Sequence, residues 1–119
     1  MKRLAATLAM LALTVLVVAA PASTGTAAPT ATTTIRVAAS EMKFVLSAKS
    51  AKRGNVAFVV KNTGNLVHDL KIKGKKTPLL QPGRTARLSV TFTKAGKYQF
   101  LCTVFGHAAA GMKGVFTVR

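Results

Sequence analysis

The chain is 119 residues long and strongly cationic, with 18 Lys and Arg against two acids and a formal charge of +16. One cysteine excludes an internal disulfide, and the length leaves room for one modest core. Aromatic residues make up only 6%, too few to interleave with lysines as a nucleic-acid surface would require.

The first segment has Lys2 and Arg3 followed by the uncharged apolar run Leu4 to Ala20, then Ala20-Pro21-Ala22 with small residues where a signal peptidase reads. This is the pattern of a secretory signal peptide over residues 1–22, cleaved after Ala22. The alternative is an uncleaved anchor, for which the run falls short of the roughly 20 residues of a spanning helix. No cysteine follows the run, which excludes a lipoprotein anchor. Residues 23–34 are Ala, Thr and Pro without apolar periodicity and read as a flexible spacer. The remaining 35–119 form a single domain. The protein is therefore expected to be exported, to the periplasm, to the outer face of the cytoplasmic membrane or into the medium.

Without Lys2 and Arg3 the formal charge is still +14, because Glu41 and Asp69 both lie in the mature part. Such a field steers the protein towards an acidic redox protein or an anionic membrane surface, and no nucleic acid is expected. The bland alternative is a charge that serves solubility alone. A monomer is expected.

The mature part alternates in short runs broken by turns, with no amphipathic helix. Ile35 and Val37 share a face in "TTIRVAAS", and "KFVLS" follows. After a turn at Gly54-Asn55, "VAFVVKN" places Val56, Phe58 and Val60 together. Beyond the turn cluster "NTGN", His68, Leu70 and Ile72 alternate against Asp69, Lys71 and Lys73. "ARLSVTF" aligns Leu88, Val90 and Phe92, "YQFLC" aligns Tyr98, Phe100 and Cys102, and "KGVFTVR" closes the chain. Seven to eight strands at this spacing predict an all-β Greek-key sandwich or barrel. Period-2 alternation then points His68 and Cys102 inward at strand ends.

The soft and borderline donors of the mature part are Met42, His68, Cys102, His107 and Met112. Three of them fall within the eleven residues "CTVFGHAAAGM". A thiolate, two imidazoles and a weak thioether suit a mononuclear blue-copper centre, in which the methionine is a long axial ligand. Zinc accepts two His and a Cys but takes methionine poorly, and a binuclear copper centre would need a second cysteine. Taken singly, each residue has an ordinary reading: a buried thiol, a satisfied strand histidine, an exposed loop histidine, an apolar filler. Their conjunction carries the weight. An unoccupied accessible thiol outside the cell would also tend to oxidise. Met42 has no partner pattern and reads as a core or surface residue.

"NTGNLVHDL" followed by "AGKYQFLCTVFGHAAAGMKGVFTV" resembles the small cupredoxins of the plastocyanin, azurin and sulfocyanin kind. Four residues separate Cys102 from His107 and His107 from Met112, a spacing most similar to sulfocyanin- and rusticyanin-like members. The resemblance implies one type 1 copper with His68, Cys102 and His107 as strong ligands and Met112 as the weak one. It implies single-electron transfer without substrate chemistry, and an electron port at the edge of His107. Many members carry asparagine after the first histidine. Here it is Asp69, which can accept bonds from the Thr103 N–H or hydroxyl but brings a negative charge expected to favour Cu(II). Related copper loops often read Pro-Gly-His where this chain has Phe105-Gly106-His107, so a less constrained loop is expected. Two other functions compete: a copper carrier or storage protein without redox work, and a cationic surface-binding sandwich that uses Cys102 as a disulfide handle. A copper enzyme would need a second domain or further ligands.

Overall fold

The computed structural model describes residues 9, 12–21 and 31–119. The expected cleavage point after Ala22 and most of the expected spacer lie outside them. Among the described residues, no helix is long and apolar enough to cross a membrane.

The described residues form nine strands in chain order: β1 (Thr33–Ser40), β2 (Lys43–Leu46), β3 (Ser50–Ala51), β4 (Gly54–Asn62), β5 (Lys71–Ile72), β6 (Lys75–Lys76), β7 (Thr85–Phe92), β8 (Gly96–Leu101) and β9 (Lys113–Val118). Three of these are two-residue pieces, which is why alternation alone suggests seven to eight. β1 begins two residues inside the segment expected to be spacer. The β-branched Thr33 and Thr34 pair in parallel with Val56 and Ala57 of β4, so the domain starts at Thr33.

The strands form two sheets, β2-β1-β4-β7 and β3-β9-β8-β5-β6. Non-consecutive neighbours such as β1–β4, β4–β7 and β3–β9 are the crossovers of a Greek-key sandwich. The inward residues are those that alternation selects: Ile35 and Val37, Val56, Phe58 and Val60, Leu88, Val90 and Phe92 from one sheet, and Ile72, Phe100, Phe116 and Val118 from the other. Phe58 meets Phe116 edge-on at 5.2 Å between ring centroids, and Phe92 meets Tyr98 at 4.8 Å. These T-shaped contacts add to the area each ring buries. Gly114, opposite Phe100 in the β8–β9 ladder, has no room for a Cβ because the Phe100 ring lies over it.

The segment from His68 departs from the expected strand. Only Lys71 and Ile72 join the β8 ladder, while His68 makes an isolated bridge to Leu80. Asp69 is fully buried, not outward with Lys71 and Lys73, because it turns towards Thr103. β5 and β6 are joined by a two-residue turn, Lys73-Gly74, with both residues at positive φ (50° and 73°). From that hairpin the Lys73 Nζ donates to the Thr91 carbonyl at 2.6 Å and the Lys75 Nζ to that of Ser89 at 3.5 Å. Two amines thereby cover part of the open edge of β7.

The Phe58 ring contacts both Phe92 and Phe116 and is 1% exposed. Phe58→Ala is expected to cost about 3–5 kcal/mol of unfolding free energy, read by urea denaturation, and a loss near zero would mean the core closes over the gap.

Candidate metal centre

The loops at one end of the sandwich are organised by buried polar groups. Asn62, the last residue of β4, donates its Nδ2 to the Leu66 and Leu80 carbonyls at 2.7 and 2.8 Å and accepts from the Gly64 amide at 2.9 Å. This fixes the "NTGN" turn and delivers the chain to His68. The His68 amide and carbonyl then exchange hydrogen bonds with Leu80 at 3.1 and 2.7 Å. One residue on, the Asp69 carboxylate accepts from the Thr103 amide at 2.6 Å and from the Thr103 hydroxyl. The sequence expectation for this pair is met in both its forms, and the contact ties the His68 segment to the end of β8.

Cys102 follows β8 directly, and its amide donates to the Met112 carbonyl at 3.1 Å. Between them the chain makes a compact coil of turns: His107 N–H to Val104 O at 3.0 Å, Ala110 N–H to Gly106 O at 3.1 Å, and Met112 N–H to His107 O at 3.0 Å. Gly111, at φ 113°, takes the backbone from this coil into β9, a conformation that side chains other than hydrogen disfavour. Phe105 thus stands in a loop that has its own hydrogen-bond ladder, none of whose bonds is donated by the Phe105 amide.

These elements bring together three of the candidate ligands. One donor atom each from His68, Cys102 and His107 lie within 4.8 Å of one another, and all three residues are buried. The His68 and His107 Nδ1 atoms are 3.3 Å apart, and the Cys102 Sγ is 3.6 Å from the His107 Nδ1. Met112 is fully buried in the same core cluster as Cys102, with its backbone bonded to Cys102 and His107 as described. Met42 stands at the β1–β2 turn at φ 60° and is half-buried.

A fourth side chain reaches the site that alternation and spacing did not select. The Glu41 Oε1 lies 3.3 Å from the His68 Nε2 and also accepts from the Asn65 and Leu66 amides at 2.6 and 2.8 Å. The Leu66 amide foremost, then the Asn65 amide and the His68 ring, hold the Glu41 carboxyl down at about 2 against an opposing desolvation. Its contribution is thus fully present above the ordinary carboxyl range and is lost only as pH falls through that depressed value. The one sequence signal for Glu41 is scarcity, since it and Asp69 are the only acids in the chain. Burial pushes the Cys102 thiol upward, with the Asp69 charge acting in the same direction and the Asp69 and Val104 amides opposing. A metal that takes the sulfur as thiolate therefore displaces a proton.

The donor set fits copper. The Nδ1 atoms of His68 and His107 and the Cys102 sulfur converge among buried apolar residues, while the His68 Nε2 faces Glu41, so two imidazoles and one thiol meet at a single point. No side-chain N or O among the buried, described residues lacks a hydrogen-bond partner.

Residues 23–119 match the family of copper binding proteins described as plastocyanin/azurin. The copper-resistant cuproprotein CopI of Pseudomonas aeruginosa is 49% identical over 41 residues, which is 34% of this chain and 23% of that protein. The matched stretch thus spans about a quarter of the relative's length. Among solved structures, dithionite-reduced auracyanin of the photosynthetic bacterium Roseiflexus castenholzii superposes with a TM-score of 0.64 at 28% identity, over 73% of this chain and 97% of that one. Auracyanin A, a blue copper protein of Chloroflexus aurantiacus, gives 0.62 over 75% and 100%; at 20% identity it shows the shared fold. A β-sandwich with a His, Cys, His donor group at one end, matched to this family over 97 residues, is a small cupredoxin: the chain belongs to the plastocyanin/azurin family of copper-binding proteins and takes a single type 1 copper.

Proposed function

We propose that the protein carries single electrons between redox partners, with copper held by His68, Cys102 and His107 and more weakly by Met112. The observation that carries this reading is a gradient of burial across the four groups. His68 and Met112 are 0% exposed and Cys102 is 1%, while His107 reaches 8%. One ligand therefore touches the surface at an edge, enough for an electron to pass and too little for a substrate to enter.

Copper supplies the one-electron change between Cu(I) and Cu(II); the chain supplies a donor set that moves little during it. Cys102 is fixed at a strand end through the Met112 carbonyl, His68 through Leu80 and Asp69 through Thr103, so the ligands would be held in place whichever oxidation state the metal took. Phe105, fully exposed and two residues before His107, offers an apolar contact for a partner. The surplus of basic residues favours an acidic redox protein, or an anionic membrane surface, as that partner. The carrier reading has no enzyme chemistry, and the apolar leader with its small-residue site supports export to the periplasm or the outer membrane face.

A second reading, copper handling without redox work, is favoured by one observation: the 41-residue similarity to a copper-resistant cuproprotein. The two differ in what leaves the site, an electron or the ion.

Adding Cu(II) to the reduced protein is expected to give an intense blue or green thiolate charge-transfer band that is missing in Cys102→Ser. A colourless wild type, or a disulfide-linked dimer on a non-reducing gel, would sink the electron-carrier reading. Rapid electron exchange with a mediator, without release of copper to a chelator, would separate it from the ion carrier. Met112→Leu is expected to keep the copper and raise the reduction potential in voltammetry; outright loss of the metal would make Met112 more than a weak ligand. The rate of electron exchange with an acidic redox protein should fall by about tenfold or more between low and high salt, and a flat profile would leave the charge without a steering role.

A further inference from the structure

The chain holds two carboxylates against eighteen Lys and Arg, and both lie at the copper end: Asp69 on Thr103, and Glu41 on His68 itself. Asp69 occupies a position that the sequence already marks. Glu41 comes from the β1–β2 turn, 27 residues before the histidine it meets.

Three features of the backbone serve this contact. The turn between Ser40 and Lys43 has only two residues, Glu41 and Met42, and Met42 sits at φ 60°, a conformation sparsely used by residues other than Gly, Asn and Asp. The Asn65 and Leu66 amides both point at the Glu41 Oε1 at 2.6 and 2.8 Å, so the carboxylate has a fixed seat before it meets the imidazole. Gly64 then leaves that seat open. A Cβ there would overlap the Glu41 carboxylate, with Oε2 at 2.7 Å. A side chain at 64 would push the carboxylate off this seat.

We infer that Glu41 is a positioning residue of the copper centre: its carboxylate fixes His68 in the Nε2–H tautomer, so that Nδ1 faces the metal, and its charge biases the site towards Cu(II). The inference rests on the reading of His68 as a copper ligand. The geometry is that of a carboxylate–histidine–metal relay, in which the outer acceptor orients the ring and raises the basicity of the inner nitrogen. The distribution of charge gives the second effect. A fixed negative charge across one imidazole ring from the metal stabilises the dication more than the monocation. Glu41 is half in solvent, with 38% of its side chain exposed, which weakens the effect without removing it.

The test has one arm without copper and one with it. In the metal-free protein, nitrogen NMR of the histidine rings should show His68 as the Nε2–H tautomer. Glu41→Gln, whose amide oxygen still accepts, should keep it, while Glu41→Ala and Gly64→Ala should both release it into a mixture. With copper bound, Glu41→Gln should keep the thiolate band and lower the ratio of Cu(II) to Cu(I), at a fixed ambient potential, by about three- to tenfold, as removal of one charge at a partly exposed site predicts. An Nδ1–H tautomer in the wild type, or a ratio unchanged in Glu41→Gln, overturns the inference even if Glu41→Ala fails to fold. If instead the tautomer behaves as stated but no thiolate band forms in the wild type, the ligand assignment has failed and the positioning role of Glu41 towards His68 stands.

Discussion

Two imidazoles and a thiol converge within 4.8 Å at the end of an apolar sandwich, and polar atoms placed there must be satisfied locally. Much of the surrounding architecture answers that requirement. Leu80 takes the backbone of His68, Met112 that of Cys102, Val104 that of His107, and Glu41 the outer nitrogen of His68. What is left over is a set of lone pairs and a sulfur facing one another. In the protein they face one another at 3.3 and 3.6 Å, and a soft monovalent or borderline divalent metal can take all of them at once.

The electrostatics of the molecule divide into a near field and a far field of opposite sign. Across the surface, sixteen basic side chains remain once Lys2 and Arg3 are set aside, and they make it strongly positive. Close to the metal site, the two carboxylates lie on the histidine and on the threonine that follows the cysteine. The positive surface acts on partners over a Debye length, whereas Glu41 and Asp69 act on the ion over one ring or one turn. Docking and redox poise can therefore vary independently in this chain, since different residues set them.

Most of the fold was legible because it rests on period-2 alternation. Val56, Phe58 and Val60, or Leu88, Val90 and Phe92, could hardly face anywhere but inward. The cysteine loop was legible for another reason: its three chemically distinctive residues sit in one short stretch and are joined by local backbone bonds. Alternation failed at Asp69, because a buried hydrogen bond from Thr103 outweighed the pattern set by its neighbours Lys71 and Lys73. It also could not show the parallel pairing of β1 with β4, which extends the domain to Thr33. Glu41 was hidden for the most basic reason. Its partners lie 24 to 27 residues away, across a crossover that no local pattern encodes.

Lys73 and Lys75, at the tip of the β5–β6 hairpin, spend their amines on the carbonyls of Thr91 and Ser89. A strand edge left bare would be a template on which a neighbouring chain could add its own strand. Backbone-to-backbone zippering of that kind is cooperative and comes apart slowly. By occupying those carbonyls, the two lysines keep this stretch of the β7 edge from serving as such a template.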